Sequence, residues 1–441
     1  MQKILSMNFG NPEARQIQRY EAAGGYRALR KAIGLTPDAI IQEVLKANLR
    51  GRGGAGFPSG RKWTFLPKDA KTVYLVVNAD EGEPGTFKDR TLMRWDPHRL
   101  VEGIIIVSLA INAHQAFVYV RGELAEEIAI LEAAIAEAQQ RGYLGRSVLG
   151  KPYPLEITVH RGAGAYICGE ETALINSLEG RRGMPRLKPP FPAVAGAFMQ
   201  PTIVNNVETL AYVPPILEMG GEAFAQLGAA GEGGLRLIAI SGHVERPGTY
   251  EVPVGTNLLT IITEVAGGVR GGKALKGVIP GGSSTPVLTA EECDVPFTIA
   301  DLGSSPKIRE VEVVGGRKFD VGGGKTLRSS PGSGAIIVMD ETVDMVHVCA
   351  RLMRFYSHES CGQCTPCRVG TSWLARLCTA VDEGRGTAAD LDQLALVADG
   401  IAGRTICPLG DAAAWPMLGF LTKFRAEFEA KVAGRAAVEV A

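Results

Sequence analysis

At 441 residues the chain is too long for one ordinary domain core, so two to four domains are expected. Its 46% hydrophobic and 21% charged residues are those of a globular protein, and Lys plus Arg balance Asp plus Glu at 47 each. That balance excludes a large single-sign field aimed at nucleic acid or an anionic membrane.

The first residues carry no sustained apolar stretch, so a secretory signal is not expected. TPDAIIQEVLKANL, from Thr36 to Leu49, has an N-cap, a first-turn proline and helical apolar spacing, and it runs into a loop, RGRGGAGFPSGRKW, over residues 50 to 63. TVYLVVN predicts a buried strand ending at Asn78, followed by an acidic turn with Gly and Pro. The most apolar run, Gly103 to Ala113, is shorter than the roughly 20 residues that cross a bilayer and reads as a buried helix. Gly122 to Gly142 is an amphipathic helix with a glycine stop, and residues 155 to 180 pass from strand alternation through a Gly-rich turn into a helix, an order found in α/β nucleotide-binding folds.

Residues 181 to 196 are rich in proline and predict an extended segment, after which the chain returns to helix behind the pair Asn205 and Asn206. Composition shifts near Gly231. Arg236 to Leu288 offers short strands and a helix at NLLTIITEVAGG, a β-grasp-like α+β module that GAIIVMDE closes. Ala290 to Ser333, rich in Gly, Ser and charge, is expected to be an insertion or mobile loop with a hairpin at REVEVVGGRKFDVGG. From Thr342 onward the chain reads as helices. The expected division is therefore 1–70, a helical segment with the glycine loop; 71–232, an atypical Rossmann-like domain; 233–340, the β-grasp-like module with its insertion; and 341–441, a helical domain.

Eight cysteines, half of them isolated, fit a reducing, intracellular setting with one specialised thiolate site. ESCGQCTPCRVG carries Cys361, Cys364 and Cys367 as C-x2-C-x2-C, a loop that wraps three corners of a 4Fe-4S cubane and leaves the fourth to a distant cysteine; Cys407, followed by Pro408, is the choice. Zinc on the same four thiolates stays open at this point, although paired C-x2-C knuckles are its commoner signature. Cys168, Cys293, Cys349 and Cys378 are expected as buried small apolar residues.

RGRGGAGFPSG, with Arg50, Arg52, Arg61 and Lys62, suits a phosphate-bearing ligand, because glycines let backbone N–H groups approach anionic oxygens; a tight turn with glycines for its own geometry is the alternative. Asp80, Glu81 and Glu83 would repel a phosphate and suit ribose hydroxyls, an amide or the polar edge of an isoalloxazine ring, unless they form a solvated turn. RGAGAYICGEE adds a second backbone-lined wall, with Glu170 and Glu171 where acidic residues also satisfy a helix dipole. Phe191, held among prolines in KPPFPA, is either a stacking surface or packing, and Phe57 and Phe65 carry the same two readings.

Together RGRGGAGFPSGRKW, NADEGEPGTFKDR, HRGAGAYICGEETALINSLEG, KPPFPA, VNNVETL and ESCGQCTPCRVG with TICPLGDAAAWP resemble, in order and from about Leu29 to Phe424, the family of NADH-binding flavoprotein subunits of respiratory complex I, the NADH-quinone oxidoreductase F subunits. The resemblance implies NADH and FMN sharing a pocket, a 4Fe-4S cluster, a β-grasp-like ligand-binding module and a helical bundle around the cluster. It implies Gly51, Arg52, Gly53, Gly54 and Lys62 at the FMN phosphate, and Asn78, Asp80, Glu81, Tyr166, Gly169, Glu170, Glu171, Val204, Asn205, Asn206 and Thr209 in the rest of the flavin shell. Phe57, Phe65 and Phe191 would lie beside NADH, with Glu83, Lys188 and Glu171 as polar contacts, Glu83 and Glu171 being the candidate catalytic carboxylates. Cys361, Cys364, Cys367 and Cys407 would ligate the cluster.

The chain departs from the family at Met184, where relatives often carry Asn nearby, and in a longer stretch from about Pro296 to Pro331. The implied activity is NADH oxidation by hydride transfer to FMN, with single electrons leaving through the cluster. The implied partners are a thioredoxin-like 2Fe-2S subunit and a large iron-sulfur subunit, with no nucleic acid and no direct membrane insertion. In a bacterium the protein would sit at the cytoplasmic face of the inner membrane through those partners. A diaphorase subunit of an NAD-linked hydrogenase or formate dehydrogenase is the nearer alternative, and a non-catalytic zinc-containing binding protein the farther one.

Overall fold

A computed structural model describes residues 3–311 and 328–439, with side chains described to residue 433. The chain forms two compact units, one of residues 1–82, 86–238 and 249–255, the other of residues 83–85, 239–248 and 256–441.

The first unit is built on a parallel four-stranded sheet of order β3-β2-β1-β4, with β1 Tyr74–Ala79, β2 Gln115–Val120, β3 Glu156–Arg161 and β4 Thr202–Asn206. Leu75, Val76 and Val77 on β1 are all buried, the near-continuous apolar run expected of a strand covered on both faces. In the central register Asn78 stands beside Tyr119 on one side and Asn206 on the other, so two polar side chains emerge together where the apolar runs of β1 and β4 end.

Helices cover this sheet. α1, Pro37–Lys46, starts where sequence placed it: Thr36 Oγ1 accepts the Ala39 N–H at 3.2 Å. α2 is Lys88–Trp95, and α3, Pro97–Ile111, contains the apolar run as a helix buried along almost its whole length. α4, Ala125–Gln140, is the amphipathic helix, followed by Gly142 at φ 75°. α5 is Glu171–Leu178, and α6, Val207–Ala211, begins behind Asn206, whose Oδ1 accepts the Glu208 and Thr209 N–H groups at 3.0 and 3.4 Å. One expectation shifts: the end of the glycine-rich stretch is not loop but a short helix, Ser59–Trp63, because Trp63 is buried and donates its indole N–H to Asn205.

β5, Leu235–Gly242, begins in the first unit with β6, Gly248–Pro253, beside it and passes into the second. There the order continues through β9, Ala335–Asp340, to β7, Leu275–Ile279, and β8, Leu288–Thr289, with β5 and β9 parallel and β7 antiparallel to both its neighbours. NLLTIITEVAGG is only in part regular helix, a short turn at Leu258–Thr260 continued as a wider turn at Ile261–Val265. The expected insertion is partly ordered: a capping box at Thr289 and Glu292 starts a turn, Ile299–Ser304 is helical, and Val295, Phe297 and Leu302 are buried. Most of the expected hairpin lies outside the described residues.

The second unit ends in helices α7 Met345–Glu359, α8 Thr365–Asp382, α9 Ala388–Ile401, α10 Leu409–Lys423 and α11 Arg425–Glu439. Short loops join the first four, and each packs on the next, so they alternate in direction. The starts of α8 and α10 therefore share one end of the bundle. A Cβ on Gly370 of α8 would stand 2.5 Å from the side chain of Ile401, the last residue of α9, which fixes that end.

Among the described residues no helix is long and apolar enough to cross a membrane.

Candidate functional site

In the first unit the glycine loop closes on itself, with the Gly51 N–H donating to the Phe57 carbonyl at 2.9 Å. Gly54 has φ +129° and nothing within 4 Å of where a Cβ would stand, so this wall is backbone facing open space. A Cβ on Gly53 would meet the Asn206 Cβ at 3.1 Å, and the Arg52 N–H donates to Thr209 Oγ1 at 2.9 Å. The loop thus lies against the end of β4 and the start of α6.

Arg52 differs from the simple expectation of a cationic loop. Its guanidinium is buried, donates to the carbonyls of Gly233 and Leu235, and sits 3.9 Å from both Glu208 and Glu232. Its charge is spent inward. Lys62 is half-buried: its Nζ donates to the Val204 carbonyl at 2.9 Å and pairs with Glu171 at 3.1 Å.

The second Gly-rich turn joins the same place. Asn78 Nδ2 donates to the Gly169 carbonyl at 2.8 Å, in the turn Tyr166–Gly169, while its Oδ1 accepts the Asp80 N–H. Glu170 caps α5 through the Thr172 and Ala173 N–H groups, and its other oxygen holds Lys188 at 3.0 Å. Lys188 also reaches Glu171 at 2.8 Å. Burial pushes the Glu171 carboxyl up, but Lys62 and Lys188 outweigh it and hold the group below the ordinary range. Glu171 is therefore an acceptor only.

Asp80 and Glu81 are buried rather than solvated. Glu81 accepts the Asp89 and Arg90 N–H groups at 2.7 and 3.1 Å and the Arg90 side chain at 2.8 Å. Phe57 and Phe65 are exposed, with ring centroids 5.9 Å apart, and Phe191 is exposed at 58%, so none is packing the core. Glu83 belongs to the second unit, where its Oε1 accepts the Ser284 N–H at 2.8 Å and the Ser283 hydroxyl at 3.4 Å.

Two residues of this site escaped the sequence reading. Lys88 and Asp89 lie inside NADEGEPGTFKDR, yet only the fold reveals that Asp89 accepts from Asn206 Nδ2 at 2.7 Å while Lys88 pairs with Asp89 and Glu208. The only signal in sequence was an adjacent opposite-charge pair opening a helix.

In the second unit Cys364 precedes α8, Cys367 lies in its first turn, and Cys407 lies just ahead of α10, so the start of each helix brings cysteine sulfur to the same end of the bundle. Ser360, which ends α7, has its hydroxyl 3.1 Å from Cys367 Sγ. Burial pushes the Cys367 thiol up to about 11, opposed by Ser360 and assisted by the adjacent Cys364 and Cys361 sulfurs. No disulfide joins any of the four, and Cys168, Cys293, Cys349 and Cys378 are buried. Among the described residues no three His, Cys, Asp or Glu side chains are arranged to hold a metal ion. A cubane places one thiolate on each of four irons, so its ligands need not meet at one point. Cys364, Cys367 and Cys407 stand at two helix starts, where the dipole opposes the effect of burial on a thiol, and with Cys361 three residues before Cys364 they fit that group.

The residues around the glycine loop meet a comparable test for FMN. Backbone lines the Gly54 wall, a half-buried lysine stands beside the loop, and polar side chains lie at the ends of β1 and β4, a donor and acceptor set for a phosphate joined to a polar-edged ring.

Comparison with known proteins bears on the same regions. Residues 44–215 match the Nuo51 FMN-binding domain, residues 347–431 the NADH-ubiquinone oxidoreductase-F iron-sulfur binding region, and residues 236–302 the SLBB domain. The NADH-quinone oxidoreductase F 2 subunit of Rhizobium meliloti (strain 1021) is 47% identical over 98% of this chain and 98% of its own length. The corresponding F subunit of Mycobacterium bovis is also 47% identical, covering 98% and 94%. Among solved structures, a chain of an NAD+-reducing NiFe hydrogenase in the H2-reduced state superposes with TM-score 0.78 at 37% identity over 90% of this chain; the chain spans 62% of that one.

Proposed function

Because the chain belongs to the family of NADH-quinone oxidoreductase F subunits, oxidoreductase subunits with FMN, NADH and 4Fe-4S sites in a multi-subunit complex, we propose residue roles for that activity in this chain. Bound in these sites, FMN would accept two electrons as a hydride and give them up one at a time, and the 4Fe-4S cluster would accept single electrons, which is the chemistry the two groups supply. The chain's residues bind, orient and exclude water.

The glycine loop at Gly51, Arg52, Gly53 and Gly54 cradles the FMN phosphate with backbone N–H groups, and Lys62 supplies its counter-charge. The side chain of Arg52 serves instead to brace the loop from within. Asn78, Asp80, Glu81, Tyr166, Gly169, Glu170, Val204, Asn205, Asn206 and Thr209 form the flavin shell, the first two through the end of β1 and the last four through β4 and α6.

Phe57, Phe65 and Phe191 offer exposed rings to the bases of NADH. Glu171, ionised between Lys62 and Lys188, accepts hydrogen bonds from ribose hydroxyls or the carboxamide, and Glu83 is a second such acceptor. Hydride transfer needs no strong general base, and ring alignment at near-contact distance with water excluded is what the pocket contributes. Cys361, Cys364, Cys367 and Cys407 hold the cluster. The segments 1–70, 71–232, 233–340 and 341–441 carry the glycine loop, the nucleotide sites, the ligand-binding module and the cluster respectively. The partners are a thioredoxin-like 2Fe-2S subunit and a large iron-sulfur subunit, through which the chain lies on the cytoplasmic face of a bacterial inner membrane.

The observation that carries this reading is the joining of three separate motifs by Asn78 to Gly169, Lys62 to Glu171 and Lys62 to Val204. Cys407→Ala tests it: NADH-to-ferricyanide reduction is retained, while quinone reduction and the paramagnetic cluster signal are lost. Normal quinone reduction with an intact cluster signal would show that Cys407 is not the fourth ligand. Identifying co-purifying subunits by mass spectrometry separates this assembly from a hydrogenase or formate dehydrogenase.

A further inference from the structure

Behind the glycine loop lies a buried cation that the reading above leaves without a role. Lys88 opens α2 with its side chain 1% exposed, and its Nζ stands 2.8 Å from Asp89 Oδ1 and 2.7 Å from Glu208 Oε2. Burial would push the ammonium down, but the two carboxylates hold its pKa above the ordinary lysine range, so it stays charged.

Both carboxylates lead to the pocket. Asp89 Oδ2 accepts from Asn206 Nδ2 at 2.7 Å, and Asn206 Oδ1 accepts the N–H groups of Glu208 and Thr209. Thr209 Oγ1 accepts the Arg52 N–H at 2.9 Å, and the Asn206 Cβ sits 3.1 Å from where a Cβ on Gly53 would stand. Glu208 Oε1 accepts the Leu237 N–H at 2.7 Å. Two carboxylates from different helices would repel each other in this dry interior, and the ammonium between them removes that repulsion.

We propose that Lys88 is a positioning residue for the flavin pocket: by bridging Asp89 and Glu208 it fixes the Asn206 side chain and, through Asn206 and Thr209, the glycine loop at Arg52 and Gly53. Lys88 touches neither FMN nor NADH in this role. The inference rests on the flavin reading of the pocket.

The experiment uses the full chain in its complex, stripped of flavin and titrated with FMN. Lys88→Met is the direct variant. The charge-matched pair K88M/E208Q removes one charge of each sign, keeps an oxygen for the Leu237 N–H, and is the decisive measurement where Lys88→Met does not fold. Either variant is expected to bind FMN about tenfold more weakly, the loss of one charge-assisted hydrogen bond. The visible circular dichroism of the bound flavin changes with it, as the flavin settles in a less constrained pocket.

Tyr153→Phe, which loses buried hydrogen bonds to the Ser108 and Ala113 carbonyls, is the control for lost stability alone and keeps the wild-type FMN affinity. A Kd within about fivefold of wild type in the decisive variant overturns the proposal. A loss in Tyr153→Phe as large as in the Lys88 variants overturns it too, since any destabilisation would then suffice. If the wild-type complex itself took up no FMN, the flavin reading would fall; wild-type uptake with unchanged affinity in the variants removes only the role of Lys88.

Discussion

The two chemical regions are organised by opposite means. In the first unit the glycine loop, the end of β1 and the start of α5 are tied by side chains that already satisfy one another, Asn78 to Gly169, Lys62 to Glu171 and Lys188 to both Glu170 and Glu171. At the cysteine end of the second unit the side-chain ties run within each loop and helix start, Arg368 to the Gly362 carbonyl at 2.7 Å, the Ser360 hydroxyl beside Cys367 and the Thr405 hydroxyl to the Cys407 carbonyl at 2.8 Å, while Gly370 packs on Ile401. A pocket of paired charges is shaped before its ligand arrives, whereas the loops carrying the four thiols would have a bound metal group as the cross-link between them.

Removing the iron gives the largest effect by which that contrast can be broken. Chelation of the cluster is expected to cost the cysteine end on the order of several kcal/mol. Hydrogen exchange then rises steeply at residues 360–368 and 402–410 and stays unchanged at residues 51–54. Equal loosening of the glycine loop would mean that the two regions are not organised separately.

A smaller and opposite perturbation is Gly54→Val. The backbone at φ +129° is strained for a branched residue by about 1–3 kcal/mol, and the new side chain fills open space beside the loop. FMN affinity is expected to fall by about tenfold or more with iron content unchanged. Full FMN affinity in that variant would show that the open face at Gly54 is not a ligand wall.

The same contrast explains what sequence could reveal. The cysteine loop was legible because its spacing is local, and the amphipathic helix and the Thr36 cap were legible because period and cap chemistry are local too. The parallel sheet was foreshadowed by the strand, glycine turn, helix order, but its strand order β3-β2-β1-β4 depends on crossovers that no local pattern encodes. Arg52 shows the limit most clearly: a loop arginine reads as a phosphate ligand until the fold brings Glu208, Glu232 and two carbonyls around it. Lys88 is the same case reversed, a charge in a named motif whose partner Glu208 lies far along the chain. The partial order in the expected insertion came from Val295, Phe297 and Leu302, three apolar residues scattered among glycines and charges, too sparse to form a period.

The gentlest test of the paired-charge pocket is pH, through Glu171. Its folded-state pKa lies below the ordinary glutamate value of 4.5, because Lys62 and Lys188 outweigh the effect of burial. The unfolded chain therefore binds the proton more readily than the folded one between those two values. The stability Glu171 contributes is fully present above 4.5 and is lost as pH falls through the folded pKa. Lys188 sets the other edge: burial lowers its pKa, Glu171 and Glu170 raise it by more, and the net displacement is upward. Its share is fully present below the ordinary 10.5 and is lost as pH rises through the folded value. Denaturant unfolding of wild type and Glu171→Gln is expected to differ by a constant amount at neutral pH, with the gap closing as pH drops below 4.5. A gap that stays constant down to the acid limit would mean that the lysines do not hold Glu171 ionised, and the pocket would then owe its shape to packing rather than to paired charge.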